Sequence, residues 1–254
     1  MPQPALDPEI SIIIPAFNEE RRLPATVTAI AAYCARRPER FEIIVVDDGS
    51  GDGTAALPLP PDAPRLRWRM LRNPGNRGKG YSVRHGMRVA RGRRLLFTDA
   101  DLSAPIAEIE RLEAALAAGA DVAIGSRSRA DLLGARQPRL RELAGCVFNR
   151  LVRAALDLSF HDTQCGFKLF TRASADAIFP LQRVEGWGFD PELLFLARRA
   201  HLRISEVPIV WSHAEGAKIH MLRDSARMFA DVLAIRAAAA RGLYCQPPHL
   251  AAAA

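Results

Sequence analysis

Lysine is nearly missing from this chain. Of its 35 basic residues, 32 are arginine, and the three lysines are Lys79, Lys168 and Lys218. A composition that replaces lysine wherever arginine serves leaves lysine where a compact point charge with three rotatable donors is wanted. Other absences exclude whole classes. No uncharged apolar run reaches 18 residues, so no membrane-spanning helix is expected. Residues 1–9 are polar and proline-rich and do not read as a signal peptide. The four cysteines (Cys34, Cys146, Cys165, Cys245) show no metal-ligand spacing. That argues against a zinc site or a disulfide framework and predicts reduced thiols in the cytosol. No G-x-G-x-x-G follows the first apolar run, which argues against a dinucleotide enzyme. The net charge is +7, but no helix-turn-helix, zinc finger or aromatic RNA-binding signature accompanies it. Nucleic acid is therefore not the expected partner.

What is present is a chain of 254 residues, 49% hydrophobic, long enough for one sizeable α/β core. Short, nearly all-apolar runs predict strands at 10–14, 41–46, 66–71, 94–98 and 121–125. Helical spacing falls between them at 24–36, 81–90 and 106–118. Strands of this kind alternating with helices imply a mainly parallel, Rossmann-like sheet covered on both faces. Polar residues collect where the runs end: Asn18-Glu19-Glu20, Asp47-Asp48-Gly49-Ser50 and Asp99-Ala100-Asp101. In a parallel sheet these ends share one edge, where ligands bind. Asp99 and Asp101 have the spacing to hold a hard divalent cation, which prefers oxygen ligands and bridges to phosphate. The same pair also suits a helix cap or a turn.

The second half has a different character. Between Arg127 and Arg153, seven arginines stand against Asp131 and Glu142, a net charge of +5. Such a field draws phosphates or an acidic membrane surface. Leu140, Leu143, Ala144, Val147, Phe148, Leu151, Val152 and Ala155 trace one helical stripe. Residues 225–240 trace another, with Met228, Phe229, Val232, Leu233 and Ile235 flanked by Arg223, Arg227 and Arg236. Each fits either a core-packed helix or an interfacial helix lying in a membrane surface.

Pro15-Ala-Phe-Asn-Glu-Glu20, Val46-Asp-Asp-Gly-Ser50, Asn76-Arg-Gly-Lys-Gly80, Asp99-Ala-Asp-Leu-Ser103 and Gly125-Ser-Arg127 form an ordered series. In order and spacing it resembles the family 2 glycosyltransferases of the GT-A fold. The later segments Asp162-Thr-Gln-Cys-Gly-Phe-Lys-Leu-Phe170 and Glu185-Gly-Trp-Gly-Phe-Asp-Pro-Glu-Leu-Leu194 resemble the dolichyl-phosphate β-glucosyltransferase branch of that family. The resemblance covers roughly residues 10 to 236 and implies an α/β GT-A fold. It implies one glycosyltransferase domain over 1–254, with a nucleotide-sugar half (10–125), an acceptor half (126–241) and a tail (242–254).

The resemblance also implies roles. Pro15, Ala16, Asn18, Glu19, Asp47 and Asp48 line the nucleoside pocket, and Arg77, Gly78 and Lys79 approach the base or diphosphate. Asp99, Ala100 and Asp101 become the D-x-D segment, with Asp101 the leading ligand for Mg²⁺ or Mn²⁺ and Asp99 on ribose or metal. Arg127 with Arg139 or Arg141 takes an acceptor phosphate. Gln164 with Asp162 shapes the sugar pocket, and Trp187 joins the acceptor side. Lys168 stabilises an anion or anchors its loop, and Lys218 with Arg223 closes over the acceptor. Asp190 orients the sugar or tunes the acceptor, with a helix N-cap as its structural alternative.

The implied reaction is metal-dependent, inverting transfer of glucose from UDP-glucose to a polyprenyl, dolichyl-type phosphate. A phosphate monoester with a second pKa of ~6 is largely dianionic at neutral pH and attacks without a dedicated base. GDP-mannose or another nucleotide sugar, a hydroxyl acceptor, and a catalytically silent nucleotide-sugar-binding partner subunit are the alternatives. The expected location is cytoplasmic, peripheral to the inner membrane face. Either its amphipathic helices hold the enzyme there, or a separate membrane protein docks it, or the acceptor is soluble.

Overall fold

Alternation within the apolar runs sets the architecture. The computed structural model describes residues 7–127, 149–212 and 221–245, with side chains from 227 onward in the last segment. β1 (Ile10–Ala16), β2 (Phe41–Asp47), β3 (Leu66–Arg72) and β4 (Arg94–Thr98) pair in parallel. β1 and β2 are buried along their whole length, and successive residues of a strand point to opposite faces. Ile12, Ile14, Ile43, Val45 and Leu96 therefore enter one core layer, and Ile13, Ile44, Val46, Leu95 and Phe97 the other. A sheet covered on both faces needs an apolar residue at nearly every position. The first layer lies under α1 (Leu23–Cys34) and α3 (Ile109–Ala117). The second lies under α2 (Lys79–Val89), α4 (149–156), α5 (Arg172–Ile178), α6 (Phe189–Arg199) and α7 (Met221–Ala240).

β5 (Val122–Ser126), β6 (Phe167–Thr171) and β7 (Ile204–Pro208) complete a seven-stranded sheet of order β3-β2-β1-β4-β6-β5-β7. Among the described strands β6 alone is antiparallel to its neighbours, β4 and β5. It begins where they end, with Phe167 opposite Thr98 and Lys168 opposite Ile124. Residues 162–166 are thereby delivered to the edge that already carries the polar ends of β1, β2 and β4.

The five expected strands fall on β1 to β5 and the three expected helices on α1 to α3, with a short 3-10 turn (Ile106–Glu108) before α3. β6 and β7 were not expected. β6 carries a lysine at its second position, and β7 is a five-residue, half-exposed edge strand whose apolar pattern is brief. Of the stripe starting at Leu140, residues 149–156 are helical, with Val152 and Leu156 in the core; 140–148 lie outside the described residues. The expected tail begins too early, because Tyr244 is buried and its hydroxyl donates to Glu192 Oε1 at 2.6 Å. No helix among the described residues is long and apolar enough to cross a membrane.

α2 approaches β1 so closely that a Cβ on Gly86 would lie 2.5 Å from Ile13 Cγ2. Gly86→Val should lower stability by about 1–3 kcal/mol through overpacking. It should be read as a lower urea midpoint at unchanged denaturant slope.

Candidate active site

The loops after β1 and β2 are laced to one another before any ligand is considered. Asp48 N donates to Ala16 O (2.8 Å), Asn18 N to Ser50 Oγ (2.9 Å), Gly51 N to Asn18 Oδ1 (2.9 Å) and Glu19 N to Thr54 Oγ1 (2.8 Å). Asn18 adopts φ +54°, a conformation asparagine tolerates better than most residues. Pro15 and Ala16 form the buried end of β1 beneath this lacework. The Glu19 carboxylate is forked onto Arg22 through two 2.6 Å bonds.

The two adjacent aspartates do different work. Asp48 accepts from Arg77 N (2.9 Å), Gly78 N (2.7 Å) and Asn73 Nδ2 (2.8 Å), and so fixes the course of residues 76–80. Asp47 has no exposed surface; it accepts from Ser50 N at 3.2 Å and pairs with Arg72 Nε at 3.3 Å. The expected donor contact for Asp47 is therefore corrected: its side chain supports the turn from below.

At the centre, Asp101 Oδ1 accepts from Ser103 N at 3.0 Å, and Thr26 Oγ1 ties the Ala100 carbonyl to α1 at 2.5 Å. Asp99 Oδ1 lies 2.5 Å from the Lys79 ammonium. The Asp99 carboxylate rests against Gly166, where a Cβ would come within 2.2 Å of Oδ2. Lys79 opens α2, and its Nζ sits 5.2 Å from the Trp187 ring centre and 5.8 Å from that of Phe189. Burial works against its charge, but the carboxylates of Asp99, Asp190 and Asp101 outweigh it and hold the ammonium above the usual lysine range.

Beneath this pair lies a second. Lys168, with no exposed surface, donates to Asp190 Oδ1 at 2.5 Å and to the Cys165 carbonyl at 2.6 Å. Burial pushes the Asp190 carboxyl above its ordinary value, opposed by the Lys168 and Lys79 ammoniums. Two expectations change here. Lys168 cannot touch an acceptor from that depth; its ammonium ties the Cys165 carbonyl to Asp190. Asp190 lies in the first turn of α6, whose N-cap is Gly188 with no side-chain cap bond; its carboxylate engages Lys168 instead.

On the far side Arg127 Nε and Nη2 grip Asp162 at 2.7 and 2.9 Å, with the guanidinium 5.5 Å from the Trp211 ring centre. Burial disfavours both charges, yet Arg127 still holds the Asp162 carboxyl below its usual range. Arg127, expected to take an acceptor phosphate together with Arg139 or Arg141, is half of a bidentate ion pair. Gln164 Nε2 contacts Met228 Sδ of α7 at 3.4 Å, and Trp187 is half exposed at the mouth. Arg139, Arg141 and Lys218 lie outside the described residues, and of Arg223 only the α7 backbone is described.

Three positioning residues escaped the sequence reading. Glu185 holds Arg77 (2.9 Å) and Arg84 (3.2 Å), so the Arg77 guanidinium faces this carboxylate and the Tyr81 ring. Glu192, buried in α6, accepts from Arg183 N (3.0 Å) and Val184 N (2.9 Å) and sets the path to Trp187. Gly166 makes room for Asp99. All three lie within the segments Asp162–Phe170 and Glu185–Leu194, but nothing local marks what they meet across the fold.

The glycosyl transferase family 2 profile matches residues 11–179. The chain belongs to glycosyltransferase family 2. It is 40% identical to a dolichyl-phosphate beta-glucosyltransferase of Drosophila melanogaster over 83% of this chain and 69% of the relative. It is 37% identical to the enzyme of that name from Saccharomyces cerevisiae, over 92% of this chain and 76% of the relative. Its fold is similar to that of glucosyl-3-phosphoglycerate synthase from Mycobacterium tuberculosis, crystallised with Mn²⁺, UDP and glucosyl-3-phosphoglycerate. That likeness has a TM-score of 0.66 at 21% identity and covers 90% of this chain and 80% of the other. The seven-stranded mixed sheet is therefore the GT-A fold, and the chain is a glycosyltransferase.

Gly166→Ala should leave this glycosyltransferase folded, because the clashing atoms end a rotatable side chain. It should turn Asp99 out of place and lower the glycosyl-transfer rate about 100-fold, the order expected for a misplacement of ~1 Å. Thermal midpoint and transfer rate measured on the same preparation check both halves of that expectation.

Proposed function

We propose that this glycosyltransferase moves glucose from UDP-glucose to a dolichyl-type polyprenyl phosphate, with inversion at carbon 1 and with Mg²⁺ or Mn²⁺. The reading is carried by the Asp99–Asp101 turn at the carboxyl edge of β4, faced by Lys79, in a chain 34–40% identical to dolichyl-phosphate beta-glucosyltransferases over most of its length. The residues present fit a hard cation: two carboxylates on one turn, with Asp101 Oδ2 taking no hydrogen bond among the described residues. Asp101 and Asp99 would hold the ion, which when bound neutralises the leaving diphosphate.

The remaining chemistry belongs to the chain. The laced loops carrying Asn18, Glu19 and Asp48, seated on Pro15 and Ala16 at the end of β1, present a fixed wall to the nucleoside. Asp48 holds Gly78 and Lys79 toward the diphosphate, where a positive charge and an open backbone are both useful. The acceptor phosphate, already dianionic, attacks carbon 1 as the bond to the diphosphate oxygen breaks, so no side chain need remove a proton. Asp190, paired below the floor, orients Lys168 and with it the loop under Asp99. Trp187, Gln164 and the Arg127–Asp162 pair border the acceptor side, with Arg139, Arg141, Lys218 and Arg223 completing it. The nucleotide-sugar half is 10–125 and the acceptor half 126–241 of one domain.

The enzyme works at the cytoplasmic face of a membrane. α4 and α7 are neighbours, joined by Arg236 Nη1 to Ala155 O at 2.9 Å. They expose Leu151, Phe229 and Leu233 among exposed Arg150, Arg227 and Arg236. Apolar side chains ringed by arginine suit the boundary of an anionic bilayer.

Transfer of radiolabel to a short polyprenyl phosphate should occur from UDP-glucose, not from UDP-N-acetylglucosamine or GDP-mannose, and should stop with EDTA. Asp101→Asn should lose at least about 100-fold in rate at near-unchanged thermal midpoint. Absence of lipid-linked product with every one of these donors, or full activity of Asp101→Asn, would remove the reading. Separately, the double variant Leu151→Glu, Leu233→Glu should bind vesicles containing anionic lipid about tenfold more weakly than the native protein. Equal sedimentation of the two with vesicles would show that these helices do not face lipid.

A further inference from the structure

The Lys79 ammonium stands where two demands conflict. It is 2.5 Å from Asp99 Oδ1, and only 12% of its side chain is exposed. Its setting is closed: the ring faces of Trp187 and Phe189 flank it, and the carboxylates of Asp101 and Asp190 act on it as well as that of Asp99. A divalent cation sharing Asp99 would have to displace this ammonium from its carboxylate oxygen, and would be repelled by it at short range. Yet Lys79 is also the first residue of α2, so its ammonium adds to the positive end of that helix, a setting that favours a phosphate.

The two roles are reconciled if they alternate. We propose that Lys79 is the exchangeable counter-cation of the aspartate pair. It occupies Asp99 while the site lacks a nucleotide, and it moves to the diphosphate when the donor binds, releasing Asp99 to the divalent ion. This rests on the reading of Asp99 and Asp101 as metal ligands given above, and it adds a consequence that reading does not contain. Metal binding depends on the nucleotide, because the diphosphate draws away the ion's competitor as well as supplying oxygen ligands. By linkage the metal must tighten the nucleotide by the same factor.

A lysine suits such an exchange better than an arginine. Its single charged atom on a four-carbon stem changes partner by rotation about its own bonds, without breaking a bidentate fork. Gly166 permits the resting position, since a Cβ there would overlap the Asp99 carboxylate where it now lies.

The test is Mn²⁺ binding, read from the electron paramagnetic resonance signal of free Mn²⁺, with and without UDP. It is made on the native protein, Lys79→Gln, Lys79→Arg and Asp101→Asn. The native protein should bind Mn²⁺ at least tenfold more tightly with UDP than without. Lys79→Gln should bind Mn²⁺ without UDP at least tenfold more tightly than the native protein, so that the gain from UDP shrinks. Lys79→Arg, which keeps the charge, should stay weak without UDP. Thermal midpoints confirm that each variant is folded. If Lys79→Gln binds Mn²⁺ alone no better than native, or worse, Lys79 merely braces Asp99 and the exchange is wrong, while a loss of UDP-dependent binding in Asp101→Asn would keep the metal reading intact. If the native protein holds no Mn²⁺ even with UDP, the metal reading falls and the exchange with it.

Discussion

The Lys168 ammonium, buried without exposed surface, is held between the Asp190 carboxylate at 2.5 Å and the Cys165 carbonyl at 2.6 Å. Removing one partner of such a pair leaves an uncompensated buried charge, which typically costs about 3–5 kcal/mol. The pair fastens β6 to α6 directly below the Asp99 turn. Phe189, next to Asp190, packs its ring 5.6 Å from that of Phe97, and its Cβ lies where a side chain on Gly80 would have to go. Four elements, β4, β6, α2 and α6, therefore meet over one ion pair. The positions of Asp99, Lys79 and Trp187 all follow from how they meet.

The reversed strand makes that meeting possible. Were β6 parallel, its lead-in would emerge at the opposite edge of the sheet, far from the ends of β4 and β5. Running antiparallel, it brings Asp162 beside Arg127 and Gly166 beside Asp99. The charges then alternate from the surface inward: Asp99 with Lys79, Asp190 with Lys168. Three carboxylates, counting Asp101, face two ammoniums, and that excess of negative charge favours a cation at the exposed end of the stack. In a partly desolvated cleft such an imbalance acts more strongly than it would in water.

Much of this was legible in the sequence where physics works over short spans. β1, β2 and β4 declare themselves because a two-faced sheet demands unbroken apolar runs, and their polar ends stand out by contrast. β6 hides because a strand that carries Lys168 looks like a loop until its partner Asp190, 22 residues away, is in place. Lys79 and Asp99 are likewise 20 residues apart, brought together by the packing of α2 on the sheet and on α6. The rarity of lysine was the sole local hint. Both lysines among the described residues turned out to be paired with aspartate inside the site, where a point charge fits and a planar fork does not. Asp47 and Asp48 show the reverse limit: side by side in sequence, they serve different segments, Asp47 holding Ser50 and Arg72, Asp48 holding Asn73, Arg77 and Gly78.

The acceptor side was harder to read for a different physical reason. A diphosphate or a metal ion is recognised by charges at close spacing on loops, and charges on loops are conspicuous. A lipid chain is recognised by apolar surface, and an apolar residue on a helix looks the same whether it faces a core or a bilayer. In α7, Val232 and Ile235 are fully buried while Leu233 and Phe229 are exposed, and all four belong to one stripe. Only the position of the sheet beneath separates them. The Arg127–Asp162 pair makes the same point for charge, since an arginine already held by a buried carboxylate is indistinguishable in sequence from one awaiting a phosphate. Clustered charges on loops are thus legible along the chain, whereas the faces of α4 and α7 that the core leaves uncovered, with Leu151, Phe229 and Leu233, become legible only once the sheet is in place.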